Sequence, residues 1–233
     1  MFGIKLFKNE VGNFAIAQAD RKKFVTQIVE SSAPSFNFYF LVFLSSLIVA
    51  FGLARDNFIL LIGGMLVTPL LSPLMAVSLG FLTRSWKVIM RSTRVFIMAS
   101  FLTILTSALL GFVLSVHLSE IKLVSLILVD WPAFFVALVA GVAASYNWAK
   151  PELKNNLTGV AVTVTLIPPL SALGLALSKS NMVLVVFFAK SLIINILGIL
   201  VGSLIIFWLL KFSKTKNKII AEIKEEEKNN NNI

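Results

Sequence analysis

The sequence predicts an all-α membrane protein of six transmembrane helices in two inverted three-helix repeats, with the second and fifth helices broken by proline. Three observations carry that prediction. Hydrophobic residues make up 58% of the chain and charged residues 14%, with a mean hydropathy of +0.91, whereas soluble domains are only ~45–50% apolar. Six apolar runs each approach the ~20 residues that a helix needs to cross ~30 Å of hydrocarbon. The chain also matches itself at an offset of 96 residues.

Residues 1–35 form a cytoplasmic N-terminal segment. Lys5, Lys8, Arg21, Lys22 and Lys23 leave no uninterrupted apolar core between them, so a removable signal peptide is not expected. Val11, Phe14, Ala15, Phe24, Val25, Ile28 and Val29 recur at helix-like spacing. They fit either an interfacial amphipathic helix ending at "SSAPS" or a partly ordered tail. The first repeat covers 36–116, with apolar runs at 36–54, 58–82 and 95–116. An external loop follows at 117–128. The second repeat covers 129–210, with runs at 129–148, 157–177 and 182–210. Asp130, just before "WP", reads as the N-cap of the fourth span. The charged, Asn-ended tail at 211–233 lacks the apolar content to build a core and is expected to be disordered. Because the runs are apolar on every face, strands of a membrane barrel, which alternate, are excluded.

Orientation follows from the loops, since Lys and Arg accumulate on the cytoplasmic side. With the N-terminus inside, seventeen basic residues fall on the inner segments. Only Arg55, Lys122 and Lys179 fall outside. Both termini are therefore expected in the cytoplasm, in the cell (inner) membrane. The net charge of +10 is distributed as topology requires, with no separate basic domain, so nucleic acid is not an expected partner.

At the 96-residue offset Gly63 pairs with Gly159, Leu70 with Leu166, Pro73 with Pro169, Leu74 with Leu170, Ala76 with Ala172 and Leu79 with Leu175. Three helices are an odd number, so the second unit enters the bilayer from the opposite side, as in many transport folds. Proline removes a backbone donor and clashes with the preceding turn. "TPLLSPL" and "TLIPPL" should therefore bend or unwind the second and fifth spans, with Thr68, Ser72, Thr163, Thr165 and Ser171 supplying hydroxyls beside the breaks. Freed backbone groups are tolerated only in protein or beside a watery cavity. A simple kink re-satisfied by Ser or Thr is the competing reading. "GG", "GVA" and the Gly198–Gly202 pair read as close helix contacts of the small-xxx-small type.

"IGGMLVTPLLSPL", "GVAVTVTLIPPL" and Asn195 in "IINIL" resemble the family of membrane proteins grouped as domain of unknown function 389. The resemblance extends from about Phe36 to Leu210. It departs at Gly64, where the family pattern usually has Ala, and in the extra soluble domain that many members carry. It implies a multi-pass membrane protein of unassigned activity.

The chemistry available is narrow. All eleven acidic residues lie outside or at the edges of the spans, leaving no intramembrane carboxylate for a proton relay or a hard-cation cage. His117 is the one histidine and there is no cysteine, so no catalytic residue, metal or cofactor is expected, and no enzyme. Lys190 falls within the sixth span with Arg94 as its repeat counterpart. Either these two snorkel to the interface, or they face a cavity and set charge selectivity. The expected function is a channel or transporter for a small anion or neutral polar solute. Its path would be lined by Thr68, Pro69, Ser72, Pro73, Thr163, Thr165, Pro168, Pro169, Ser171 and Asn195. The alternative is a non-transporting scaffold or sensor that binds lipid or a protein partner. A homo-oligomer embedded in the lipid bilayer is expected in either case.

Overall fold

The computed structural model describes residues 34–114, 127, 130–149 and 158–210, with side chains from Leu166 onward in the last stretch. Among the described residues the chain is all-helical, with seven helices and no strand. These are α1 (Phe36–Ala54), α2 (Phe58–Val67), α3 (Leu71–Leu82), α4 (Trp86–Val113), α5 (Trp131–Ala149), α6 (Thr158–Ser178) and α7 (Met182–Leu209). Helices α1, α4, α5 and α7 are long and apolar enough to cross a membrane, and α2 with α3, taken as one bent span, makes five. Helix α6 contributes the shorter apolar stretch Leu166–Ser178.

Local chemistry sets the helix ends. The Ser35 hydroxyl accepts from the Phe38 N–H at 3.2 Å, and Asn57 Oδ1 accepts from the N–H groups of Ile59 and Leu60 at 3.0 and 3.1 Å. Asn181 Oδ1 accepts from the Leu184 N–H at 3.2 Å. Each satisfies first-turn donors that have no partner within the helix. Three tight turns share one design. Asp56, Arg84 and Ser180 adopt left-handed backbone, and the N–H of the following residue reaches back to Gly52 O, Gly80 O and Ala176 O at 2.8, 3.0 and 3.2 Å. This is the Schellman closure of a helix C-terminus. Asn57, Ser85 and Asn181 then serve as N-caps of the next helix.

Close backbone approaches give the helix directions. Gly52 abuts Leu61 while Gly64 abuts Val49, so α1 and α2 are antiparallel. Gly111 abuts Ser178 while Gly174 abuts Ser107, so α4 and α6 are parallel. Gly198 meets Phe134 and Gly202 meets Val142, so α5 and α7 are parallel, and they form the most extensive interface in the bundle. Hence α1, α4 and α6 run one way, and α2–α3, α5 and α7 the other. The close packing at Gly198 and Gly202 is the small-residue contact expected of membrane helices.

The bundle buries hydroxyls within an apolar core and exposes apolar stripes on its outside. Ser45, Ser46, Thr103, Thr106, Ser107, Ser145, Ser191 and Ser203 are buried. Ile97, Phe101, Leu105, Leu109 and Phe112 on α4, and Val186, Ile193, Leu197 and Ile205 on α7, form exposed stripes. In water such surfaces would be far larger than soluble monomers expose. The protein is embedded in a membrane.

The expected reading needs two corrections and holds at the second span. Helix α4 begins at Trp86 rather than at 95, because Lys87, Arg91 and Arg94 limit the hydrocarbon contact and not the helix. The second span does break, into α2 and α3 with a bend of 51°. The fifth does not: Pro168 and Pro169 lie inside the continuous α6. Spacing explains the difference. Pro69 and Pro73, four apart, disturb two successive turns, whereas the adjacent Pro168 and Pro169 disturb one. The N-terminal segment 1–33, the loop at 115–126 with His117, and the tail 211–233 lie outside the described residues. Asp130 contributes its backbone carbonyl to the start of α5, accepting from the Ala133 N–H at 2.9 Å.

Candidate functional site

The α2–α3 elbow spans Thr68, Pro69 and Leu70, and its backbone accounting explains its stability. Pro69 cannot donate to the Met65 carbonyl, which instead accepts from the Thr68 N–H at 3.4 Å. That shift deprives the Gly64 carbonyl of its usual helical donor. Two hydroxyls replace it: Ser45 Oγ of α1 donates at 2.9 Å and Thr68 Oγ1 at 3.2 Å. The two hydroxyls also touch each other. Pro73 likewise cannot serve the Pro69 carbonyl, which accepts from the Ser72 N–H at 3.3 Å. The chain thus turns inside the protein with its freed carbonyls occupied, as a low-dielectric setting demands.

Ser45 was not legible as a site residue. The one signal is the pair Ser45–Ser46, which interrupts an otherwise apolar stretch of α1.

The elbow leads inward. Helix α2 is peripheral, with Ile59 82% exposed, whereas every residue from 71 to 80 of α3 is buried. On α6, every residue from 166 to 176 is buried too. Leu70 shares an apolar cluster with Ile167 and Leu170, and Leu71 and Leu74 share another with Leu166. The elbow and the Pro168–Pro169 turn therefore both pack into the centre of the bundle.

Among the predicted path residues, Thr68, Ser72, Pro73, Pro168, Pro169 and Ser171 are buried and Pro69 is half-buried. The Ser171 hydroxyl is fully buried with no hydrogen-bond partner, as are those of Ser107 on α4 and Ser203 on α7. Asn195 is buried on the inward stripe of α7, one turn before Gly198. The backbone of Thr163 and Thr165 is helical, and their side chains lie outside the described residues.

Arg94 and Lys190 are not brought to this centre. Both are exposed, Arg94 on the outer stripe of α4 with Met90 and Ile97, and Lys190 on that of α7 with Val186 and Ile193. Depth explains their tolerance. The Tyr39 hydroxyl meets Met98 Sδ at 3.7 Å, which sets Arg94 level with the start of α1. From Arg94 to the end of α4, and from Lys190 to the end of α7, the helices run on for nineteen residues, ~29 Å, one hydrocarbon thickness. Each cation lies eight residues from the start of its helix on an outward face, from which its long side chain can reach toward the interface.

The buried hydroxyls of this centre offer hydrogen-bond donors and acceptors among apolar neighbours. The family model described as "Domain of unknown function (DUF389)" matches residues 65–201, from α2 through most of α7. An uncharacterized protein of Methanocaldococcus jannaschii is 28% identical over 168 residues, covering 70% of this chain and 52% of that protein. The chain thus spans about half the length of that relative. No solved structure matches. Since the matched residues take in more than half of the chain, including the elbow and the buried parts of α3 and α6, the protein belongs to the DUF389 family of domains of unknown function.

Proposed function

We propose that the protein is a channel or transporter for a small neutral polar solute, built as two inverted three-helix repeats with both termini in the cytoplasm. The observation that carries this reading is the elbow itself: a membrane helix interrupted inside the bundle, beside a helix weakened by two prolines. In transport folds, interrupted helices mark the solute site.

The repeat is supported by element boundaries. Helices α4 and α7 both have 28 residues and start 96 positions apart. Helices α3 and α6 also end 96 positions apart, at Leu82 and Ser178. The alternating directions fit an inversion: α1, α2–α3 and α4 run up, down, up, while α5, α6 and α7 run down, up, down. The neutral solute is favoured over an anion because Arg94 and Lys190 face outward, leaving hydroxyls and backbone carbonyls at the centre. Such groups bind without charge selection. No enzymatic step is assigned, and a homo-oligomer is part of the proposal, since the outer stripes permit self-association.

Liposome flux tests it. Purified protein should accelerate entry of urea or glycerol over protein-free liposomes, with little effect on sodium. Ser171→Val combined with Ser72→Ala should reduce that entry while leaving the unfolding temperature close to the parent's. Flux no faster than in empty liposomes for urea, glycerol and chloride alike favours the non-transporting scaffold, which the close packing around Thr68 and Ser171 would also suit.

A further inference from the structure

The first turns of α4 carry a ladder of cations. Lys87, Arg91 and Arg94 are spaced four and three residues apart, so they share one face of the helix. Lys87 and Arg94 are exposed and Arg91 is half-buried. Arg84, exposed in the turn just before α4, adds a fourth charge. Asp56 and Asp130 are the two acidic residues among the described residues, and both lie at the other end of the bundle, where α1 ends and α5 begins. The end that carries the ladder is therefore uniformly basic among the described residues. Apolar surface continues from the ladder along α4. Arg94 is level with the start of α1; deeper than it, Ile97, Met98 and Phe101 are exposed, and on the water side Trp86 is 70% exposed.

We propose that this ladder binds one phospholipid with a net negative headgroup, of the phosphatidylglycerol class, drawn from the surrounding bilayer. Lys87 and Arg94 are ~10.5 Å apart along the axis, and their long side chains can converge on one phosphate at the level of Arg91. Guanidinium groups hold a phosphate through paired N–H···O bonds. Each carries five donors and an ammonium three, so bonds made within the protein leave donors for the lipid. The order of groups along α4 matches that of the lipid: the headgroup lies beside Lys87 and Arg91, the phosphate among the cations, and an acyl chain along Ile97, Met98 and Phe101. A zwitterionic headgroup would bring its own ammonium against a uniformly basic surface, so charge selects against it. Free phosphate would meet the same cations but would bury none of the apolar stretch, which favours the lipid. Trp86 stands where an interfacial anchor belongs. The inference rests on membrane embedding alone, and not on the transport reading.

Native mass spectrometry tests it, with the full chain released from micelles that hold equal amounts of phosphatidylglycerol and phosphatidylethanolamine of the same acyl chains. We expect phosphatidylglycerol to be retained over phosphatidylethanolamine by about fivefold, the worth of one Lys or Arg beside an anionic lipid. Lys87→Gln combined with Arg94→Gln, both at exposed positions, should bring the ratio below about twofold. Lys87→Arg, which keeps the charge, should preserve it, as should Lys190→Gln at the other end of the bundle. Thermal unfolding gives a second reading: phosphatidylglycerol should raise the unfolding temperature of the parent more than phosphatidylethanolamine does, and the difference should vanish in the double Gln variant. Equal retention of the two lipids by the parent, a preference that survives the double Gln variant, an equal loss in Lys190→Gln, or displacement of the retained lipid by millimolar inorganic phosphate would overturn the proposal.

Discussion

Arg84 and Ser180, 96 positions apart, hold the same left-handed backbone, with φ of 51° and 52°. Each closes the helix before it with the same pair of backbone hydrogen bonds. An L side chain in this region is strained where glycine is not. Arg84→Gly and Ser180→Gly should each therefore raise stability by roughly 0.5–1 kcal/mol. Thermal unfolding in detergent measures this, and a loss of stability in both variants would mean that the side chains hold the turns.

Gly63 and Gly64 are neighbours with opposite surroundings. A Cβ at Gly63 meets nothing within 4 Å, whereas one at Gly64 falls 2.5 Å from Val49 Cγ2 and 3.0 Å from the Val49 nitrogen. Gly64→Ala should cost about 1–3 kcal/mol, and Gly63→Ala should be neutral or gain up to ~1 kcal/mol through helix propensity. Adding Val49→Ala to Gly64→Ala should recover part of the loss. The same unfolding assay checks all three.

Ser45 and Thr68 share one acceptor, the Gly64 carbonyl. Ser45→Ala and Thr68→Val should each destabilise by about 0.5–2 kcal/mol. The double variant should cost more than the sum, because either hydroxyl alone still occupies the carbonyl and only the double variant leaves it bare. An additive double-mutant cycle would show that the two act separately.

Arg94 and Lys190 are exposed on the outward faces of α4 and α7, away from the centre. Arg94→Gln and Lys190→Gln should leave solute flux within about twofold of the parent, and chloride over urea selectivity unchanged, since surface charges act weakly across screened distances. A spin label at Lys190→Cys should show headgroup-level accessibility to aqueous and lipid-soluble relaxants. A loss of chloride flux in Lys190→Gln would restore the charge-selective path.

The sequence made axial position legible and azimuth illegible. Helix α1 runs over the span read from hydropathy, Phe36–Ala54, because hydropathy reports where along the chain water ends. It does not report which face meets lipid when a run is apolar all round, and so the outward placement of Lys190 and Arg94 was not readable. The prolines were visible, but their consequences depended on spacing. Only Pro73 and Pro169 correspond at the 96-residue offset, whereas Pro69 corresponds to Thr165 and Ser72 to Pro168. One unit therefore breaks over two turns and the other keeps its helix. Ser45 was hidden because its partner lies 23 positions away at Thr68, a tertiary relation that no local pattern encodes.

The most direct measurement is cysteine accessibility at the elbow in membranes, in a chain that has no cysteine of its own. Ser72→Cys and Ser171→Cys are buried positions at the centre, and Ile48→Cys and Leu105→Cys are outward, lipid-facing controls. If the elbow and α6 open to pass a polar solute, small aqueous thiol reagents should modify both central positions, and urea should slow the reaction, while both controls stay unlabelled. Complete protection of Ser72→Cys and Ser171→Cys in folded, membrane-embedded protein would contradict the account, and the elbow would then be a fixed packing device.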